Sequence, residues 1–100
     1  MAGLRHFFVE LLGTRPDWPE NMTAEEEQVM DVHFDYLKRL VAERKVLLAG
    51  PCFDPVFGLI ILQTETDEEA VAIMDHEPSV TGGLHTYRLH PMRVSLMADY

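Results

Sequence analysis

Two Thr-x-x-Glu boxes, each just ahead of an apolar periodic stretch, constrain this chain more than any other feature. Thr23 with Glu26, and Thr66 with Glu69, match the capping box, in which threonine accepts from the backbone three residues on and the glutamate returns the bond. Each box fixes a helix start. After the first, Val29, His33, Tyr36, Leu37 and Leu40 share one face at helical spacing, so Thr23 to Arg44 reads as an amphipathic helix. Glu25, Glu26 and Glu27 complement the positive end of its dipole, and Lys38, Arg39, Arg44 and Lys45 the negative end. The second helix is shorter and runs through about Asp75, because Pro78 bars its continuation.

The remaining segments read as strands. Arg5 to Leu12 is rich in Phe, Val and Leu and predicts a strand buried on both faces, ended by Gly13. Thr14 to Met22, with Arg15, Pro16, Trp18 and Pro19, is a loop. Val46 to Gly50 is a short strand closed by Gly50-Pro51; Cys52 to Pro55 turns, and Phe57 to Thr64 returns as a longer strand. After Gly82-Gly83, Leu84 to His90 alternates as a half-exposed strand, and Pro91 places it at an edge or a bulge. Arg93 to Met97 is a candidate continuation.

The order is β-α-β-β-α-β. That is the α+β, ferredoxin-like arrangement, a four-stranded antiparallel sheet with both helices on one face. Phe8, Leu12, Leu59 and Ile61 oppose Phe7, Val9, Leu11, Ile60 and Leu62, so the uncovered face is apolar too. Such a face predicts a homodimer packed sheet to sheet. A chain of 100 residues buries only roughly 60–70% of its unfolded surface, so a partner subunit would add stability.

Composition excludes some partners. Seventeen acidic against eight basic residues give a net charge of −9, and no Lys/Arg cluster exists, which argues against nucleic acid and anionic membranes. No apolar run approaches the ~20 residues of a membrane span. Cys52, the single cysteine, excludes an internal disulfide and a thiolate zinc site, and as a turn thiol it lacks an activating neighbour. No two histidines stand at i, i+4, and His85 and His90 would point to opposite faces of one regular strand, so no metal is expected. The chain opens directly on a strand with no signal peptide, so a cytoplasmic location is expected.

His33 is the candidate for chemistry. One turn after Val29 and one turn before Leu37, it faces inward. It is either a core histidine donating to a backbone carbonyl or the acid/base of a small pocket. Asp75 and Glu77 lie where the second helix ends and its dipole disfavours acids; such local rule-breaking is commoner at functional sites. Gly50-Pro51 shapes a turn and can let the backbone approach a ligand. Arg15 and Trp18 are either a solvated Arg and an anchoring Trp, or a pocket rim in which Arg15 holds a carboxylate or phenolate.

Three segments in order, His33-Phe34-Asp35-Tyr36-Leu37, Leu48-Ala49-Gly50-Pro51 and Glu77-Pro78-Ser79-Val80-Thr81-Gly82-Gly83, resemble the YciI-like (YCII-related) proteins. His6-Phe7-Phe8-Val9, Arg15-Pro16 and Met22-Thr23 resemble one of its subgroups, and the likeness runs from about residue 5 to residue 97. The resemblance implies a protomer that dimerises as an α/β barrel, with a His–Asp pair lining a pocket. Relatives by fold include muconolactone-isomerase-like and dehydrochlorinase-like enzymes acting on small ring compounds. This chain departs from the pattern at Glu77, which stands where the family usually has Asp; Asp75 is the alternative.

The expectation is a cofactor-independent lyase or isomerase. His33 would move a proton on a small cyclic or unsaturated acid, supported by Glu77 or Asp75. Phe8 would wall the pocket, Arg15 would hold a negative group, and Trp18, Gly50 and Pro51 would complete it. The alternatives are a non-catalytic small-molecule-binding or accessory module and, third, a cofactor-free monooxygenase.

Overall fold

A computed structural model describes residues 3–98. Its elements are β1 (Arg5–Gly13), α1 (Ala24–Ala42), β2 (Val46–Phe53), β3 (Val56–Thr64), α2 (Asp67–Asp75), α3 (Pro78–Thr81) and β4 (His85–Met92). The first capping box forms in full. The Thr23 hydroxyl accepts from the Glu26 amide at 3.1 Å, and the Glu26 carboxylate accepts from the Thr23 amide at 2.9 Å. The second forms by half: Thr66 accepts from the Glu69 amide, but the Glu69 carboxylate takes the Glu65 amide and the Lys45 ammonium. Pro78 does more than stop α2. It opens α3, where a missing N–H leaves no bond unmade, and Glu77 is the cap in front of it.

The sheet order is β2-β3-β1-β4 with every neighbouring pair antiparallel, which with the helices gives an α+β, ferredoxin-like arrangement. Phe7 stands opposite Leu62, and Val9 opposite Ile60. With Leu11 and Val46 they form the buried row beneath the helices, which Leu40, Ala70 and Met74 cover. Strand alternation sends Phe8, Leu12, Leu59 and Ile61 to the other face, where no element among the described residues covers them. Strand β1 is therefore fully buried on one face only, not on both as its composition suggests.

Strand β2 is longer than its sequence implies. Gly50-Pro51 does not close it; the strand runs on to Phe53, and Asp54-Pro55 makes the turn. A proline is tolerated there because β2 is an edge strand, as is β4, which carries Pro91. A register shift between Val46 and Leu48 precedes the pairs Ala49–Ile60 and Pro51–Gly58. Residues 93–97 do not prolong β4. Among the described residues, no helix is long and apolar enough to cross a membrane.

Thr23 holds the start of α1 through one side-chain bond and anchors the returning glutamate. Thr23→Ala should lower stability by about 0.5–2 kcal/mol in urea unfolding followed by circular dichroism. An unchanged midpoint would show that the Arg15 contacts alone hold this end.

Candidate functional site

Between α1 and the β2–β3 half of the sheet lies a cavity of about 710 Å³. Met30, His33, Phe34 and Leu37 form its helical wall, and Ala49, Gly50, Pro51, Gly58 and Ile60 form its floor. Leu11, Trp18 and His85 close one end. The hollow exists because the floor is built from small residues. Larger side chains there would fill the space, since interiors pack densely wherever the atoms allow it. Gly58 also lies tight beneath Leu11, whose Cβ would stand 3.1 Å from a Cβ at that position. Trp18 depends on a second glycine. A Cβ on Gly13 would meet the indole at 2.6 Å, so only glycine at the end of β1 lets the ring lie against it.

His33 reaches this cavity from the middle of α1, and its Nδ1 hydrogen-bonds the Glu77 Oε1 at 2.7 Å. The Glu77 side chain is 0% exposed and that of His33 13%. The Ser79 amide donates to the same Oε1 at 3.1 Å, and the Ser79 hydroxyl donates to Oε2. Burial pushes the Glu77 carboxyl up, but the hydrogen bonds from His33 and Ser79, with the charge on His33, outweigh it. The net pKa lies below the ordinary carboxylate value. In the neutral form of His33, an ionised Glu77 fixes the ring proton on Nδ1. That leaves Nε2 as the basic nitrogen, and no hydrogen bond among the described residues engages it.

The other residues singled out in the sequence fall into two groups. Trp18, Gly50 and Pro51 line the cavity with His33. Asp75, Arg15 and Phe8 do not. Asp75, the last residue of α2, accepts from the Tyr87 hydroxyl at 2.7 Å, which together with burial pushes that phenol up to about 12. Arg15 lies over the Trp18 ring and makes two bonds to the Glu26 carboxylate, both at 3.2 Å, and a third to the Glu20 carbonyl at 2.6 Å. It lines a neighbouring polar hollow with Thr14 and Asp17. Phe8 points to the opposite face of the sheet, because Phe7 occupies the buried row; it stacks on His90 at 5.3 Å between ring centroids.

One residue escaped the sequence reading. His85 begins β4 and lines the cavity, its ring 5.2 Å from that of Trp18 and 6.0 Å from that of His33. The signal was the alternation itself: His85 shares an inward face with Tyr87 and Leu89. Among the described residues, no group of three or more His, Cys, Asp or Glu side chains is placed to hold a metal.

Comparison with known proteins agrees with this architecture. The model of the YCII-related domain matches residues 7–93, so the chain belongs to that family. It is 33% identical over 51 residues to the uncharacterised protein YjpA of Bacillus subtilis (strain 168), a match covering 51% of this chain and 60% of that protein. In structure it is similar to 5-chloro-2-hydroxyhydroquinone dehydrochlorinase (TftG) from Burkholderia phenoliruptrix AC1100, solved in complex with 2,5-dihydroxybenzoquinone. The TM-score is 0.64 at 18% identity, over 87% of this chain and 93% of that one. At that identity the likeness is one of fold.

The lowered Glu77 pKa has a measurable consequence. A carboxyl whose folded pKa is depressed contributes stability above its unfolded value, and loses it as pH falls through the folded one. Native protein should therefore exceed Glu77→Gln in unfolding free energy at pH 7, by on the order of 3 kcal/mol. That gap should narrow as the pH drops below the ordinary value of 4.5. A gap constant from pH 7 to pH 3 would show that Glu77 is not ionised in the folded protein.

Proposed function

We propose that this protein is a cofactor-independent acid–base enzyme of lyase or isomerase type, acting on a small cyclic or unsaturated acid or hydroxylated ring. The observation that carries this reading is the His33–Glu77 pair in the wall of an apolar cavity. A carboxylate buried behind an imidazole fixes its tautomer and stabilises the imidazolium that forms when Nε2 takes a proton. Binding alone would not call for that arrangement, so chemistry is favoured over a non-catalytic binding module. The fold likeness to a dehydrochlorinase solved with a dihydroxybenzoquinone supports small oxygenated rings as the substrate class.

In the proposed reaction, Nε2 of His33 removes a proton from a carbon next to a carbonyl. The electron pair of the broken C–H bond moves toward that oxygen and forms an enolate. The imidazolium then returns the proton to a different carbon, giving an isomer, or the electron pair expels a leaving group from the neighbouring carbon, giving an alkene. Trp18, Met30, Leu37 and Ile60 exclude water from the reacting ring. Glu77 keeps its proton balance throughout and acts as a positioning residue.

The protomer is proposed to pair with a second copy through the open face of its sheet. Phe8, Leu12, Phe57, Leu59 and Ile61 are only half-buried on that face. Two such faces packed together would close a barrel of the kind the family resemblance implies and remove this apolar surface from water.

Two measurements test these readings. On any small ring acid that the native protein turns over, His33→Gln should lower kcat by about 10²–10⁴-fold with little change in KM; unchanged turnover would end the proton-transfer reading. Ile61→Lys should convert a dimer into a monomer in size-exclusion chromatography with light scattering at micromolar concentration. A monomeric native protein under the same conditions would end the pairing reading.

A further inference from the structure

Among the described residues, His85 is a buried imidazole without a partner. The residue is 6% exposed, and its Nδ1 is closed off from solvent with no hydrogen bond. Thr14, the residue after β1, is committed elsewhere: its hydroxyl donates to the Gly83 and Leu84 carbonyls, and its amide to the Leu84 carbonyl as well. The ring stands edge-on to Trp18, tilted to His33 and against the cavity. Buried polar atoms in folded proteins almost always have a partner, and the exceptions call for an explanation. Here an apolar residue at the start of β4 would have completed the wall with no orphaned nitrogen.

We propose that His85 is a ligand-binding residue of this cavity, its Nε2, which no hydrogen bond among the described residues engages and which is not closed off as Nδ1 is, hydrogen-bonding an oxygen of a bound ring next to the atom from which His33 moves a proton. The assignment rests on the reading of the cavity as a substrate site, and it adds a determinant of specificity. Burial pushes the His85 pKa down, and the charge His33 can carry pushes it further, against an opposing pull from Glu77. The ring is therefore neutral near pH 7 and adds no charge to the site; of its two nitrogens, one a donor and one an acceptor, Nε2 is the one open to a ligand. Its placement also defines the ligand. The walls supplied by Leu11, Met30, Leu37 and Ile60 are apolar, while the two imidazoles are grouped at one end with ring centroids 6.0 Å apart. That pairing fits a small planar ring carrying oxygens on adjacent carbons, one for each histidine, with its hydrocarbon edge toward the floor.

The probes are toluene, phenol and catechol, of similar shape and carrying no, one and two oxygens, titrated calorimetrically. Native protein should bind catechol more tightly than phenol, and phenol more tightly than toluene. His85→Phe should weaken catechol binding about tenfold, since one hydrogen bond is lost, and leave toluene binding unchanged. Its unfolding midpoint should be no lower than that of native protein, because Phe keeps the packing against Trp18 and removes the orphaned nitrogen. A structural role would give the reverse, a lower midpoint with unaltered catechol affinity, and would overturn the proposal. Native protein should also show a shift of the His85 imidazole nitrogen resonances on adding catechol; no shift, or no saturable binding of any probe, overturns it equally. His33→Gln separates the two readings. If it keeps full turnover while His85→Phe still loses catechol affinity, proton transfer by His33 fails and the role of His85 stands.

Discussion

The structure depends on one buried carboxylate. An ion taken wholly out of water is tolerated only where hydrogen-bond donors replace its hydration. Glu77 has three: the His33 ring, the Ser79 amide and the Ser79 hydroxyl. The two serine bonds are local and shape the chain between α2 and β4. The histidine bond spans 44 residues of sequence and ties the middle of α1 to that segment. Helix α1 needs the tie. It has a single fully buried side chain, Leu40, near its C-terminal end, so apolar packing fixes one end and a charge-assisted bond fixes the middle.

The hollow follows from this arrangement. Alongside the two fixed points, Phe34 and Val41 remain exposed and Met30 and Leu37 only partly covered, because the strands beneath them carry Ala, Gly and Pro. An unfilled apolar space of this size sacrifices packing energy that larger side chains would recover. Folds retain such losses where function needs the room. The same logic joins the cavity to the ion pair, since the tie that holds α1 over the sheet also presents Nε2 of His33 to the space that poor packing leaves.

Much of this was legible in the residues. The capping threonines, the inward stripe of α1 and the succession of strands and main helices along the chain follow from local chemistry and alternation, and all appear in the structure. Histidine with an acid after the second helix was legible too, though the choice between Glu77 and Asp75 was not. That choice turned on Pro78 starting a new turn of helix, which makes Glu77 a cap instead of a charge at the wrong end of α2. Phe8 and Arg15 were misplaced for a different reason. A strand apolar on both sides does not reveal which side the helices cover, and the Glu26 that takes Arg15 also reads as a pure capping residue. Gly50-Pro51 looked like a turn because an edge strand's tolerance for proline depends on a sheet order that only tertiary structure supplies.

The register shift in β2 decides what kind of interior this protein has. In an unbroken antiparallel ladder, Val46 opposite Leu62 would put Leu48 opposite Ile60, beneath α1. The extra residue in β2 reverses that assignment: Leu48 pairs with Ile61 on the open face, where it is 55% exposed, and Ala49 takes the place across from Ile60. An odd or even count over three residues thus separates a leucine-plugged core from an open hollow. Insertions and deletions of a single residue in edge strands, which leave composition and overall fold almost untouched, can therefore open or seal a binding site in one step.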